Sequence, residues 1–290
     1  MKIILAEHFG LCFGVRDAID QAETLAREGG LTILGELVHN PIVREQLRQQ
    51  GVHEGSLDDP QSVSRRVMIT AHGASDLQHQ KWQRARYEVV DATCPLVRHA
   101  HEQLKRLVTD GYFPVIIGKP GHVEVRGLTE DFAGAFILER TADVTRLPAH
   151  DRYGVISQTT QLIHHAHQVV AAIRRLYPAA DVQFIDTVCK PTKDRQAALQ
   201  SLIAQADTIV VVGGHHSNNT HQLVQTCRTA GRRAIHIERP EELNPGDFND
   251  SQVVGLTAGT STLPATVTAV WWRLQEISSA KINNGGSTVS

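Results

Sequence analysis

Short apolar runs alternate along the chain with longer stretches whose apolar residues recur at helical spacing. "KIILAEHFGLCFGVRDAIDQAETLAREGG" reads as strand, loop, Cys12, then a helix stopped by Gly29-Gly30. Tyr87 to Val90, Cys94 and Leu96 to Val108 repeat that order, with Pro95 in the helix's first turn. "DVQFIDTVCKPTKDRQAALQSLIAQAD" repeats it again around Cys189, with Pro191 in the same place. Each helix is followed by a second strand and a polar loop: "TILGELVHNP", "FPVIIGKPGHVEV" and "TIVVVGGHHSNNT". A third strand and loop come next: "VMITAHGAS", "YGVISQTTQ" and "VVGLTAGTST". Cys12 to His39 spans 27 residues, and Cys94 to His122 and Cys189 to Ser217 each span 28.

A period of roughly 80 to 95 residues is too long for a solenoid and fits three small α/β units. Alternating strands and helices imply mainly parallel sheets with ligand-binding loops at the carboxyl ends of the strands. The fold class expected is therefore α/β, with three pseudo-equivalent units around a central cavity in a trefoil-like arrangement. The expected boundaries are 13–94, 95–190 and 191–278. The N-terminal strand in 1–12 completes the third unit and brings Cys12 with it. Residues 279–290 carry no apolar pattern and are expected to be a disordered tail.

Charge narrows the function. The 290 residues hold 29 Lys and Arg against 31 Asp and Glu, which leaves no basic footprint for nucleic acid or anionic membrane. No apolar run approaches the length of a membrane span, and "MKIILAEHFG" lacks a signal-peptide pattern. A cytoplasmic protein is expected. The 16 histidines are many for this length, and several fall in the Gly-rich loops.

Cys12, Cys94 and Cys189 share one setting, at the start of a helix whose N–H groups favour a thiolate. Cys227, in "HQLVQTCRTAG", lies within a helix and reads as core. One nucleophile would not require three equivalent thiols. Three converging thiolates suit a metal centre: zinc with a fourth ligand or water, or a cubane iron–sulfur cluster with one iron open to substrate.

No P-loop or Rossmann fingerprint is present. The loops instead supply His39, His72, His122, Thr159, Thr160, Ser217, Asn219 and Ser261, most of them at or just before a helix start. Taken singly, each Ser, Thr or Asn reads as a helix cap. Together with the helix N-termini they form a phosphate or diphosphate site that needs no lysine. Glu124 is the one carboxylate among these loops. If "HVEV" is a strand, His122 and Glu124 share a face, and Glu124 is placed to relay protons.

With these residues in view, the chain resembles the 4-hydroxy-3-methylbut-2-enyl diphosphate reductase family (LytB-type) over about residues 2 to 275. The motifs that carry the resemblance are "GLCFGVRDAI", "ELVHNPIV", "TAHGAS", "DATCPLV", "GHVEV", "SQTT", "DTVCKPTKDRQ", "GGHHSNNT" and "LTAGTS". The resemblance implies three α/β domains around a central cavity. It also implies that Cys12, Cys94 and Cys189 hold a 4Fe–4S cluster whose fourth iron takes the substrate hydroxyl. His39, His72, Ser217, Asn219 and Ser261 match diphosphate-binding residues, and His122 also lines the site. Glu124 matches the proton-relay acid, and Thr159 a threonine near the substrate alcohol. Two electrons from a ferredoxin or flavodoxin, with two protons, would remove the hydroxyl as water and leave isopentenyl or dimethylallyl diphosphate. Four positions depart from the commoner pattern: Leu11, Val123 in place of a proline, Leu128 and Asn218. The Asn218 amide can still donate to a diphosphate. The alternatives are an iron–sulfur paralogue acting on another hydroxylated phosphorylated substrate, a redox sensor, or a zinc hydrolase.

Overall fold

The computed structural model describes residues 1–38 and 40–285, with residues 218 and 281–285 described by backbone alone. In chain order it runs β1 (Lys2–Leu5), α1 (Phe13–Glu28), β2 (Leu31–Leu34), α2 (Pro41–Gln49), β3 (Val52–Gly55), β4 (Arg66–Ile69), α3 (Asp76–Arg84) and β5 (Glu88–Asp91). There follow α4 (Pro95–Thr109), β6 (Phe113–Ile117), α5 (Val123–Glu130), β7 (Phe136–Leu138), β8 (Arg152–Ser157), α6 (Ile163–Leu176) and β9 (Asp181–Phe184). The last elements are α7 (Lys190–Gln205), β10 (Thr208–Val212), α8 (Asn218–Thr229), β11 (Arg233–Ile237), β12 (Val253–Ala258) and α9 (Pro264–Gly285).

These strands form three four-stranded sheets in which every pairing is parallel. The orders are β3-β2-β4-β5, β7-β6-β8-β9 and β11-β10-β12-β1, one plan used three times. Strands such as β2 (LTIL) and β10 (TIVVV) are buried at every position, as a parallel sheet covered on both faces demands. The fourth strand of each order, β5, β9 or β1, is the one that leads into Cys94, Cys189 or Cys12. The two inner strands lead into the polar loops. β1 joins β12 with Lys2 opposite Val253 and Leu5 opposite Leu256.

The chain forms two compact bodies. The larger comprises Gly14–Leu37 and Arg44–Lys193 and holds the first two sheets. Its helix α4 buries Val97, Ala100, Leu104 and Leu107, a stripe at helical spacing. Ala100, Leu104 and Leu107 pack with Ile116, Val125, Leu128 and Ile156 into one apolar cluster. The smaller body, Met1–Phe13, Val38–Val43 and the described part of Asp194–Ser290, holds the third sheet. There α9 buries Val267, Val270, Leu274 and Ile277 against β10 and β12.

Two expectations are corrected. Residues 122–125 are not a strand: His122 is the N-cap of α5, which begins at Val123. Two valines favour a strand locally, but Gly121 at φ 79° turns the chain, and packing of Val125 and Leu128 settles the helix. The other correction concerns the tail. α9 runs to Gly285, seven residues past Ser278, because extending a formed helix costs far less than starting one. Residues 286–290 lie outside the described residues.

Candidate functional site

In the larger body the structure brings together the acid and one of the cysteines. Glu124 stands in the first turn of α5 and is 1% exposed. Its Oε1 accepts the backbone N–H of Thr159 at 2.5 Å, and its Oε2 accepts the Thr159 hydroxyl at 2.9 Å. Burial raises the carboxyl to a pKa of about 7, against the two hydrogen bonds from Thr159 that favour the charged form. Glu124 is therefore poised to hold or release a proton near neutrality. On its other side the same threonine accepts through its carbonyl the N–H of Cys189, at 2.9 Å. One residue thus links the acid to a cysteine.

His122 caps α5 by accepting the Glu124 N–H at Nδ1, 3.2 Å away. That bond leaves the proton of a neutral ring on Nε2, from which it can be donated. His72 lies beside it, the two rings edge-on with centroids 5.7 Å apart. Thr160 sits one residue past the acid's partner, and its hydroxyl accepts from the Gln158 amide at 3.1 Å.

Cys94 and Cys189 are held alike. Cys94 donates its N–H to the Ala71 carbonyl at 3.0 Å, in the loop after β4, as Cys189 does to Thr159 after β8. Each then accepts the first N–H groups of its helix: Val97 and Arg98 at Cys94, Thr192 and Lys193 at Cys189. Cys94 is the N-cap of α4 with Pro95 directly after it, as the sequence pattern requires. Cys189 Sγ donates to Thr192 Oγ1 at 3.1 Å. Gly14 matters here through what it lacks, since a β-carbon on it would stand 2.5 Å from Cys94 Sγ. Space is therefore kept at that sulfur.

In the smaller body Ser217 caps α8, its Oγ accepting the Thr220 N–H at 3.3 Å, which leaves its own O–H able to donate. Asn219 accepts the Thr260 N–H at 3.1 Å, and Asn40 donates to the Ser261 carbonyl at 2.8 Å. Three polar segments are thereby tied at the carboxyl edge of one sheet. The loop before Cys12 is also anchored, with the buried Arg195 donating to the Gly10 carbonyl at 2.6 Å. His39 lies outside the described residues, as does the side chain of Asn218.

The donor set fits a thiolate-held cluster. Cys12, Cys94 and Cys189 are partly exposed, whereas Cys227 is fully buried in apolar surroundings and its thiol is pushed up to about 11. Soft thiolates in threes select iron–sulfur clusters or zinc over hard cations. Among the described residues no three His, Cys, Asp or Glu groups stand together in a way that could hold a metal ion. Sequence reasoning missed Asn40, Thr192, Gly14 and Arg195. Asn40, next to His39 and before Pro41, and Thr192, three residues after Cys189, stand in the motif segments themselves. Gly14 and Arg195 stand in quoted motifs too, but they act across distances that no local pattern reveals.

Comparison with known proteins shows the family and the fold. The family model described as LytB protein matches residues 3–275. The 4-hydroxy-3-methylbut-2-enyl diphosphate reductase of Citrifermentans bemidjiense is 35% identical over 285 residues, 98% of this chain and 100% of that one. The protein of the same name from Aquifex aeolicus is 33% identical over 283 residues, covering 96% and 97%. Among solved structures, the E-1-hydroxy-2-methyl-but-2-enyl-4-diphosphate reductase of Plasmodium falciparum superposes with a TM-score of 0.85 at 24% identity, over 92% of this chain and 86% of that one. The (E)-4-hydroxy-3-methyl-but-2-enyl diphosphate reductase described as the terminal enzyme of the non-mevalonate pathway gives a TM-score of 0.68 at 33% identity, over 95% and 100%. Among the described residues no helix is long and apolar enough to cross a membrane.

Proposed function

The chain belongs to the LytB family, and from that premise we propose that it reduces (E)-4-hydroxy-3-methylbut-2-enyl diphosphate to isopentenyl and dimethylallyl diphosphate. The reaction breaks the allylic C–O bond, consumes two electrons and two protons, and releases the hydroxyl oxygen as water. The observation that carries the reading is Glu124, an acid buried and held by Thr159, titrating near neutrality, one peptide from a cysteine.

In this reading Cys12, Cys94 and Cys189 hold one 4Fe–4S cluster. When bound, the cluster supplies electrons one at a time and a Lewis-acidic iron for the substrate hydroxyl. The chain's own residues do the rest. Glu124, half protonated near neutral pH and fully so below it, donates the proton that leaves with the hydroxyl as water, and Thr159 fixes its carboxyl plane through two bonds. His122 donates from Nε2 and His72 stands against it. Ser217, Asn219 and Ser261 bind the diphosphate with His39, His72 and Asn218, while Thr160 lines the same loop. Diphosphate binding at helix starts uses N–H groups and the positive dipole end, which need no lysine. A protein of ferredoxin or flavodoxin type supplies the electrons, and the setting is the cytoplasm. The three segments 13–94, 95–190 and 191–278, the last with 1–12, act as the three units that supply this site.

The test is product analysis under anoxic conditions. Iron-loaded protein, a chemical reductant and the hydroxylated diphosphate should yield two isomeric products that lack the hydroxyl oxygen, resolved by mass spectrometry and chromatography. Unchanged substrate in the presence of a fully loaded cluster would move the assignment to another hydroxylated phosphorylated substrate.

A further inference from the structure

The helix after each of the three cysteines carries a base four residues beyond the sulfur: Arg16 after Cys12, Arg98 after Cys94, Lys193 after Cys189. None of α1, α4 and α7 has an acid in its first turn. The N-terminus of a helix is its positive end, where bases are disfavoured and acids favoured. The same inverted charge recurs on three helices, and on two of them an aspartate supplies part of the compensation.

Two of the three bases are held in the same way, atom for atom. Asp91 stands three residues before Cys94; its Oδ1 accepts the Thr93 N–H at 2.9 Å and its Oδ2 pairs with Arg98 at 3.0 Å. Asp186 stands three residues before Cys189; its Oδ1 accepts the Val188 N–H at 3.1 Å and its Oδ2 pairs with Lys193 at 2.6 Å. Each aspartate thus fixes the residue preceding the cysteine and the base following it. Phe9 occupies the corresponding place before Cys12, so Arg16 has no such counter-charge.

We propose that Arg16, Arg98 and Lys193 offset the negative charge of the three thiolates and of the cluster they hold, with Asp91 and Asp186 as positioning residues that fix and moderate two of them. The inference rests on the cluster reading above. An added electron makes the centre more negative, so removing a base makes reduction harder and removing an aspartate's charge makes it easier. The Lys193 side chain is 34% exposed and that of Arg98 is 51% exposed, so water screens Lys193 less.

The experiment uses the full chain, reconstituted without air. Iron per chain is counted and the midpoint potential is measured by redox titration followed by electron paramagnetic resonance. Lys193→Gln and Arg16→Gln are expected to shift the potential negative at full iron content. Asp186→Asn, which keeps Oδ1 for the Val188 N–H but loses the charge, is expected to shift it positive, and Lys193→Arg to restore the parent value. Parent potentials in Lys193→Gln and Asp186→Asn, at full iron, would overturn the proposal. If Lys193→Gln fails to fold, Asp186→Asn and Arg16→Gln decide it by their opposite signs. A parent protein that takes up no iron would overturn the cluster reading itself, and this inference with it.

Discussion

Replacing Glu124 by Gln tests the electrostatics of the buried acid without disturbing its packing. Gln keeps Oε1 for the Thr159 N–H, and its amide can donate to the Thr159 hydroxyl where Oε2 accepted from it. The charge alone is lost. In the folded chain burial raises this carboxyl from 4.5 to about 7. Below pH 4.5 both folded and unfolded chains carry the proton, and no penalty exists. Between 4.5 and 7 the unfolded chain releases the proton while the folded chain keeps it, so stability falls as pH rises. Above 7 the folded chain carries the full cost of a buried charge. Raising the carboxyl from 4.5 to about 7 corresponds to about 3 kcal/mol in full. Urea unfolding of the iron-free parent and Glu124→Gln at pH 5 and pH 9 isolates this term, because other titrating groups cancel in the difference. The variant should gain about 2.5 kcal/mol on the parent between the two pH values. Parallel pH dependence in the two proteins would refute the reasoning.

The rate of the loaded enzyme should fall as pH rises through about 7, where Glu124 loses its proton, and Glu124→Gln should retain the cluster yet lose turnover, both read by steady-state kinetics. Thr159→Val removes a donor to the carboxylate, so the alkaline limb of the pH–rate profile should move upward. Val123→Pro should stabilise the protein by about 0.4–1 kcal/mol in urea unfolding, because proline suits the first helical position and His122 is already extended, at φ −64° and ψ 137°. Cys94→Ser should abolish iron binding, whereas Cys227→Ser should keep the iron and lose about 1–3 kcal/mol of stability by placing a hydroxyl in an apolar core.

The repeating plan was legible because its signals are local. Apolar runs such as TIVVV, prolines in the first turns of α4, α7 and α9, and a cysteine after each fourth strand all lie within a few residues of what they determine. The three cysteines and Glu124 could be singled out on that basis. What the sequence hid is long-range. Glu124 meets Thr159 across 35 residues, and Gly14 makes room for a sulfur on Cys94. His101, on α4, has a half-buried ring whose pKa burial lowers, which its helical spacing alone does not reveal. At 122–125 local β-propensity pointed to a strand, and burial of Val125 and Leu128 outweighed it. The aspartate clamps were half visible as two Asp-x-x-Cys patterns, but the pairing with a base four residues beyond each cysteine needed side-chain positions.

The most direct test of the central claim is anoxic oxidation of a reduced viologen dye by iron-replete protein, with and without (E)-4-hydroxy-3-methylbut-2-enyl diphosphate. Dye oxidation that depends on the substrate, stops in Glu124→Gln and yields isopentenyl and dimethylallyl diphosphate is the result expected. A loaded cluster that leaves the dye reduced in the presence of substrate would contradict the account.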